Sequence, residues 1–456
     1  MAELPKDSGS SAFFCDEGEV AAFPTLTEQE AAMCLIREAI RQGISRRAFL
    51  QGAGALGAVP LLTGFGGKAL ASPSPTTKRG ADYHSRLVLL GTAGGPAWYP
   101  GSDRVSASSA LIVGETIYLI DLGHGATHRM AEAFNSSIFV NTAGGKVEET
   151  QSRFLQNADA LFFTHLHMDH TADYPTLLLV GYNAGLGIPK PLRVFGPGDR
   201  GQLEENKTGY QGTIVETPGG SKTPGTKEMT NLLWQAFAQT INDFTLDNGW
   251  VDFTTLVELH DIGWTEGSDI LIPLPRIGSP DPTRQCNPYF IDPNTTPCPP
   301  MEPFRIYRNP DNDVSVWAIL VDHHQVFPSF AYRFNTPDGS VVISGDTGAN
   351  TCGNLKRLAQ GADILVHEVI DEAWIEVLAE TGVPDPLIEH LNSVHTKIGE
   401  VGSVAEDCGV RTLVLNHIVP GNVPVGHLVK AKQNFSGELI IGEDLMQIGI
   451  GKARSS

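Results

Sequence analysis

Residues 163–174 read FTHLHMDHTADY, three histidines and an aspartate falling within six positions, His165, His167, Asp169 and His170. The stretch continues the apolar run Asp159–Thr164 (DALFFT), which has the composition of a buried strand. At an extended strand end, residues two apart point to one face, so His165 and His167 present their rings together. Asp169 and His170 follow where the chain turns. Neutral imidazoles suit Zn²⁺ and its neighbours, and a nearby carboxylate can bind a second ion or orient water. A loop of ordinary solvated polar residues has no need of four potential ligands in six positions, so the pattern points to metal.

A metal centre needs ligands from distant segments, and three later strand ends offer them. ILVDHHQVFP brings His323 and His324, VVISGDTG brings Asp346, and LVLNHIVPG brings His417. Each lies where an apolar run stops, as expected of a layered scaffold that presents side chains at one edge. Counting one of His323 and His324, five histidines and two aspartates exceed what one tetrahedral ion can use. Two ions sharing a carboxylate is the natural arrangement.

Around these motifs the chain alternates short apolar runs with turn residues. Arg86–Leu90, Ser109–Val113 and Thr116–Asp121 read as strands, divided by GTAGGPAWYP and by Gly114-Glu115. A helix is expected over Ala126–Phe134, another over Leu177–Asn183, and a strand over Leu192–Phe195. From about 196 to 312 the pattern loosens into a Gly/Pro/Thr-rich segment, one amphipathic helix near Thr230–Phe244 and the proline-dense CNPYFIDPNTTPCPPMEP. This reads as an insertion that bounds access to a site. Regular runs return with VSVWAILVDHH, FAYRF, SVVISGD, the helix NLKRLAQ, DILVHEV, a helix over Ile398–Cys408, and RTLVLNH.

The chain has 456 residues, 41% of them hydrophobic and 18% charged, an ordinary balance for a soluble globular protein. Lys plus Arg number 32 against 52 Asp plus Glu, a net charge of −20. Phosphate-backbone binders draw affinity from Lys and Arg, so this balance argues against a nucleic-acid partner.

Ser45-Arg46-Arg47-Ala48-Phe49-Leu50, the apolar Gly52–Phe65 stretch and Ala69-Leu70-Ala71 follow the order of a twin-arginine export signal with a small-x-small cleavage site. The expected organisation is a removed segment, 1–71, and a mature domain, 72–456, that is periplasmic or secreted after meeting the twin-arginine translocation machinery. Six basic and eight acidic residues leave with 1–71, so the mature charge is −18. Four cysteines stay, and Cys286 and Cys298, bracketing a Pro/Asn-rich loop, are the expected disulfide pair in an oxidising compartment.

Taken together, GTAGGP, THLHMDHTADYP, SFAYRF, ISGDTG, LVHEV and the final Asn-His resemble the metallo-β-lactamase superfamily. Within it they resemble the branch shared by ribonuclease Z enzymes and arylsulfatase- and cyclic-nucleotide phosphodiesterase-like hydrolases. The resemblance covers about 86–421 and implies an α/β (α+β) fold, an αββα sandwich with the site at one edge and the long irregular insertion added. It implies that His165, His167 and His323 hold one ion and Asp169, His170 and His417 the other, with Asp346 bridging. Two Zn²⁺ ions are expected, with Mn²⁺ or Fe as substitutes. His323 is favoured over His324 because it follows Val321-Asp322 directly, His324 then lying next to a ligand. His395, in NSVHTKIGEVG, matches a position where a histidine over the metals protonates the leaving oxygen; its competing reading is an exposed loop histidine. His367, Glu368 and Asp121 are expected to orient ligands without binding metal. No role follows for His84, His124, His128, His260, His390 or His427.

The expected chemistry is attack by a metal-bridging hydroxide on phosphorus, sulfur or carbonyl, with Asp169 orienting the nucleophile and His395 assisting the leaving group. An exported hydrolase of a small sulfate or phosphodiester substrate fits export, motifs and charge together. A lactonase or β-lactamase-type carbonyl hydrolase is the first alternative. A ribonuclease Z-like phosphodiesterase is disfavoured by export and acidity, and a non-catalytic metal-binding protein by the full ligand set.

Overall fold

The computed structural model describes residues 82–134, 139–141, 148–150, 153–265, 267–275, 292, 295–349 and 352–453. The twin-arginine segment and Cys286 lie outside the described residues. The strands, in chain order, are β1 (Tyr83–Gly91), β2 (Ser108–Val113), β3 (Thr116–Ile120), β4 (Phe139–Asn141), β5 (Glu148–Thr150), β6 (Ala158–Phe162), β7 (Leu192–Pro197), β8 (Val257–Gly263) and β9 (Ile270–Leu271). They continue with β10 (Phe304–Asn309), β11 (Val314–Leu320), β12 (Phe330–Thr336), β13 (Gly339–Ile343), β14 (Ile364–Ile370), β15 (Thr412–Val419), β16 (Glu438–Ile441) and β17 (Gln447–Ala453). An eight-stranded sheet runs β17-β1-β2-β3-β6-β7-β8-β9 and a seven-stranded sheet runs β10 through β16, with β4 and β5 pairing separately.

The strands read as near-continuous apolar runs because both faces of each sheet are covered. Leu87, Leu89, Tyr118 and Phe162 on the first sheet share one core with Val316, Tyr332, Phe334 and Val341 on the second. The alternate residues Val88, Leu90, Ile117, Leu119 and Phe163 face the other way, onto Met130, Tyr174, Leu177 and Leu178 of the covering helices. On the far side of the second sheet, Leu355, Leu358, Val401 and Ala405 from two helices close the core. The layers are therefore helix, sheet, sheet, helix. Phe162 lies at the junction, stacked on Phe195 at 5.1 Å and edge-on to Phe334 at 5.4 Å.

Within the first sheet β3, β6, β7 and β8 run parallel, and within the second β13, β14, β15 and β16 do. Parallel strands release their next residues at one edge, which gathers the ends of β3, β6, β13 and β15. The two sheets are tied there by backbone bonds: Phe330 N–H donates to Thr164 (2.9 Å), Gly94 N–H to Ile418 (3.0 Å), and Ile418 N–H to Thr92 (2.8 Å).

The segment 196–312 is more regular than its composition suggests. It carries β8 and β9, which extend the first sheet, β10, which edges the second, and two helices, Thr226–Ala236 and Ala238–Asn248. The single helix expected near Thr230–Phe244 is broken at Phe237, which leaves helical geometry at φ −102° and ψ 16°. β8 was hidden because VELHDIG is only partly buried and mixes polar with apolar residues.

Cys298 pairs with Cys352, with Cα atoms 6.2 Å apart across 54 residues, and not with Cys286 as expected. Packing decides the partner. Asn354 accepts from Met301 N–H (3.0 Å) and donates to the Pro299 (2.9 Å) and Leu320 (3.0 Å) carbonyls, which lays Cys298 against the loop after Asp346. Among the described residues no helix is long and apolar enough to cross a membrane.

Candidate metal centre

Asp121, at the end of β3, is buried with a left-handed φ of 55°. That conformation is costly for a side-chain-bearing residue and persists only where neighbours hold it. Here Asp121 Oδ1 accepts the Thr164 N–H (2.8 Å), and Oδ2 accepts the Thr164 hydroxyl (2.8 Å) and faces His170 Nδ1 (2.9 Å). His170 thus keeps its proton on Nδ1, leaving Nε2 free for another partner. Past the turn, Asp173 accepts from Thr127 N–H (2.9 Å) and hydroxyl (2.8 Å), fastening the motif to the start of the earlier helix Ala126–Ala133.

Besides a third group of Glu368, His395 and His417, two groups of ligand atoms form among the described residues, with members within 4.8 Å of one another: His165, His167 and His323, and Asp169, His170, Asp346 and His417. Asp346 lies between them. Its Oδ1 is 3.4 Å from His170 Nε2, while its Oδ2 is 3.2 Å from His417 Nε2, 3.8 Å from His165 Nε2 and 4.0 Å from His323 Nε2. His323 turns Nδ1 toward the Val394 carbonyl at 3.3 Å, which leaves Nε2 facing the group. His417 has a left-handed φ of 43° and stands so close to Gly94 that a Cβ there would fall 2.2 Å from its Nδ1. Only glycine allows that approach.

A divalent cation fits both groups. His165 Nε2, His170 Nε2 and Asp346 Oδ1 are buried without a hydrogen-bond partner, a costly state that a cation would relieve. Burial and neighbouring histidines push His165 and His323 well below the usual imidazole range, so both are neutral donors. Burial also acts on His170 and His417, but the carboxylates around them outweigh it and raise both rings. For Asp169 and Asp346 the same histidines outweigh burial and hold the carboxylates ionised. The protons on His170 and His417 are those a cation would displace.

The other expected residues fall into distinct places. Glu368 is buried, and its Oε1 accepts from Thr347 N–H (3.0 Å) and faces His395 Nδ1 (3.0 Å). It orients His395, not a ligand. His395 is itself buried, with ring-centroid distances of 5.4 Å to His323 and 5.9 Å to His417, which removes the exposed-loop reading. Burial pushes the His395 ring down, but Glu368, aided by Asp346 and Asp169, outweighs it and lifts the pKa to about 9. His367 is buried and directs Nδ1 to the Glu368 carbonyl at 2.8 Å. His324 belongs to neither ligand group; its Nε2 faces Lys207 Nζ at 2.7 Å across a cleft.

Three contributors escaped the motifs. His390, on the helix Asp385–Val394, has its ring 5.9 Å from His323 and 6.0 Å from His395. Nothing in DPLIEHLNSV marks it. Gly95 N–H donates to Asp169 Oδ2 at 2.7 Å, a role the Gly-rich GTAGGP could have suggested. Trp98, in the same loop, stands beside the site.

No protein-family model matches the chain. Ribonuclease Z of Mycobacterium bovis (strain BCG / Pasteur 1173P2) is 27% identical over 375 residues, covering 81% of this chain and 99% of that protein. Ribonuclease Z of Mycobacterium sp. (strain KMS) is 26% identical over 370 residues, covering 80% and 95%. Among solved structures, the short form of human tRNase Z superposes with a TM-score of 0.45 at 17% identity, over 80% of this chain and 99% of that one.

The expected absence of a nucleic-acid partner is overturned by this similarity, since relatives named for action on RNA align along nearly their whole length. The physical reason is that net charge sums the whole surface, whereas a polyanion meets the local potential.

Asp121→Asn removes the carboxylate that fixes the His170 tautomer and is expected to weaken metal affinity about 10–100-fold, measured by competition with a chelator. Glu368→Gln removes the largest influence raising His395. Because the native pKa is raised to about 9, the protonated ring persists through neutral pH and is lost as pH rises past that value. In the variant the alkaline limb of the pH–rate profile is expected to move toward the ordinary imidazole range.

Proposed function

We propose that the chain is a metal-dependent hydrolase of the metallo-β-lactamase superfamily and that it cleaves phosphodiester bonds, with RNA as the favoured substrate class. The observation that carries this reading is the His395–Glu368 pair set beside two ligand groups that share Asp346. The names of the relatives, ribonuclease Z along 99% and 95% of their lengths, support RNA as the phosphodiester.

His165, His167 and His323 would hold one Zn²⁺ and Asp169, His170 and His417 a second, with Asp346 serving both; Mn²⁺ or Fe are the other candidates. Ions bound there would acidify a water and neutralise charge on the phosphoryl group. The chain's own residues do the rest. Asp169, fixed by the Gly95 N–H, orients the attacking water. His395, protonated at neutral pH, delivers its proton to the departing oxygen, and Glu368 keeps that ring aimed and charged. Thr164 and Asp121 hold the tautomers that leave ring nitrogens facing the centre.

Sulfate esters and lactones are the competing substrates, since the same donor set can polarise sulfur or carbonyl centres. A panel separates them: a short RNA, a small phosphodiester, an aryl sulfate and a lactone, with metal content measured on the same sample. Turnover of the phosphorus substrates, about two metals per chain, loss on chelation and recovery with Zn²⁺ are expected. Turnover confined to the sulfate or lactone, or indifferent to chelation, would reject the phosphodiesterase reading.

Export through the twin-arginine pathway is a separate proposal: it bears against a precursor-tRNA substrate but not against phosphodiester cleavage as such, and the Cys298–Cys352 disulfide supports an oxidising destination. Changing both Arg46 and Arg47 to Lys is expected to leave the protein in the cytoplasm. An unchanged distribution between cell fractions would refute export by this route.

A further inference from the structure

Trp98 is 84% exposed, an unusual state for the largest side chain in the protein's vocabulary, yet its loop is among the best fastened at the site. Ala93 N–H donates to Val105 (2.9 Å), Gly94 N–H to Ile418 (3.0 Å), Gly95 N–H to Asp169 Oδ2 (2.7 Å), and the Tyr99 hydroxyl to the Gly94 carbonyl (2.7 Å). The indole is therefore held in water by a pinned backbone and has little burial to repay its exposure. Its ring meets His124 edge-on, centroids 6.2 Å apart at 69°. Met168, the residue before the candidate ligand Asp169, is also exposed, at 66%.

These side chains, with Ala97 and Asp169, wall one open cavity of about 230 Å³. That volume lies below the range that encloses a drug-sized ligand and suits a single ring. Asp169, in its wall, is one of the four residues of the Asp169–His417 ligand group, so the cavity adjoins that group through one residue. The cleft beside His324 has a different character, with Lys207, Glu204 and Glu389 in its wall. The two openings thus differ, one walled in part by aromatic and thioether side chains and the other by charged ones.

We propose that Trp98, Met168 and His124 form a subsite for a planar aromatic ring attached close to the scissile phosphorus. The assignment rests on the phosphodiesterase reading and adds the side of the centre on which the ring is held. An indole face takes a ring by stacking, a thioether adds a sulfur–aromatic contact, and both tolerate any ring of suitable size. The shared chemistry has two sources, the nucleobase of a nucleotide and the aryl group of an aryl ester.

The test is calorimetric binding to the metal-loaded protein of two matched pairs: phenylphosphonate against methylphosphonate, and adenosine 5′-monophosphate against ribose 5-phosphate. One stacked ring corresponds to a preference of about tenfold or more for the aromatic member. That preference is expected in the native protein, collapses in Trp98→Ala and survives in Trp98→Phe, while the two ring-free ligands bind all three proteins alike. A response in the phenyl pair alone assigns the subsite to aryl esters, and in the nucleotide pair alone to nucleobases; either supports it. Ratios unchanged in Trp98→Ala overturn the subsite and leave the phosphodiesterase reading standing. Failure of all four ligands to bind overturns both.

Discussion

Asp346 is a carboxylate with almost no access to water, and the architecture around it follows from the need to compensate that charge. Taking an ionised carboxylate out of water costs several kcal/mol unless cations or donors surround it. Here four histidine rings converge on its two oxygens at 3.2–4.0 Å. Those rings come from the end of β6, the end of β11 and the end of β15, so the carboxylate cannot be satisfied unless both sheets present their edges together. The sandwich is the scaffold that does so.

The ring nitrogens themselves are governed one layer further out. Asp121 and Thr164 fix His170, the Val394 carbonyl faces His323, and the absence of a Cβ at Gly94 admits His417. Left-handed backbone at Asp121 and His417 is strain stored next to the centre, where pre-organised geometry is worth its cost. His395 belongs to a separate arrangement. Glu368 directs it, while Asp346 and Asp169 also raise its ring, so its charge stays coupled to the candidate ligands.

The charge of the chain misdirects if read as a single number. A net −20 argued against a nucleic-acid partner, yet relatives named ribonuclease Z align across about four-fifths of the chain. Acidic residues spread over a large surface say little about the few ångströms beside the centre, where bound cations would dominate the field.

From its sequence alone the chain determined the donors and their approximate places. His-x-His-x-Asp-His after an apolar run, Asp346 after SVVIS and His417 after LVL are local statements, since strand period and ligand chemistry are both written within a few consecutive residues. The strands that bear them are legible for the same reason, being buried on both faces. What only the tertiary structure decided was every pairing between distant segments. Cys298 met Cys352 because Asn354 ties the two loops, although Cys286 is nearer in sequence. His324 turned to Lys207 while His323 joined the ligands, His390 arrived on an unmarked helix, and β8 found its partner in β7 despite a mixed pattern. Such choices depend on which surfaces fit when the two sheets pack, and that complementarity has no period along the chain.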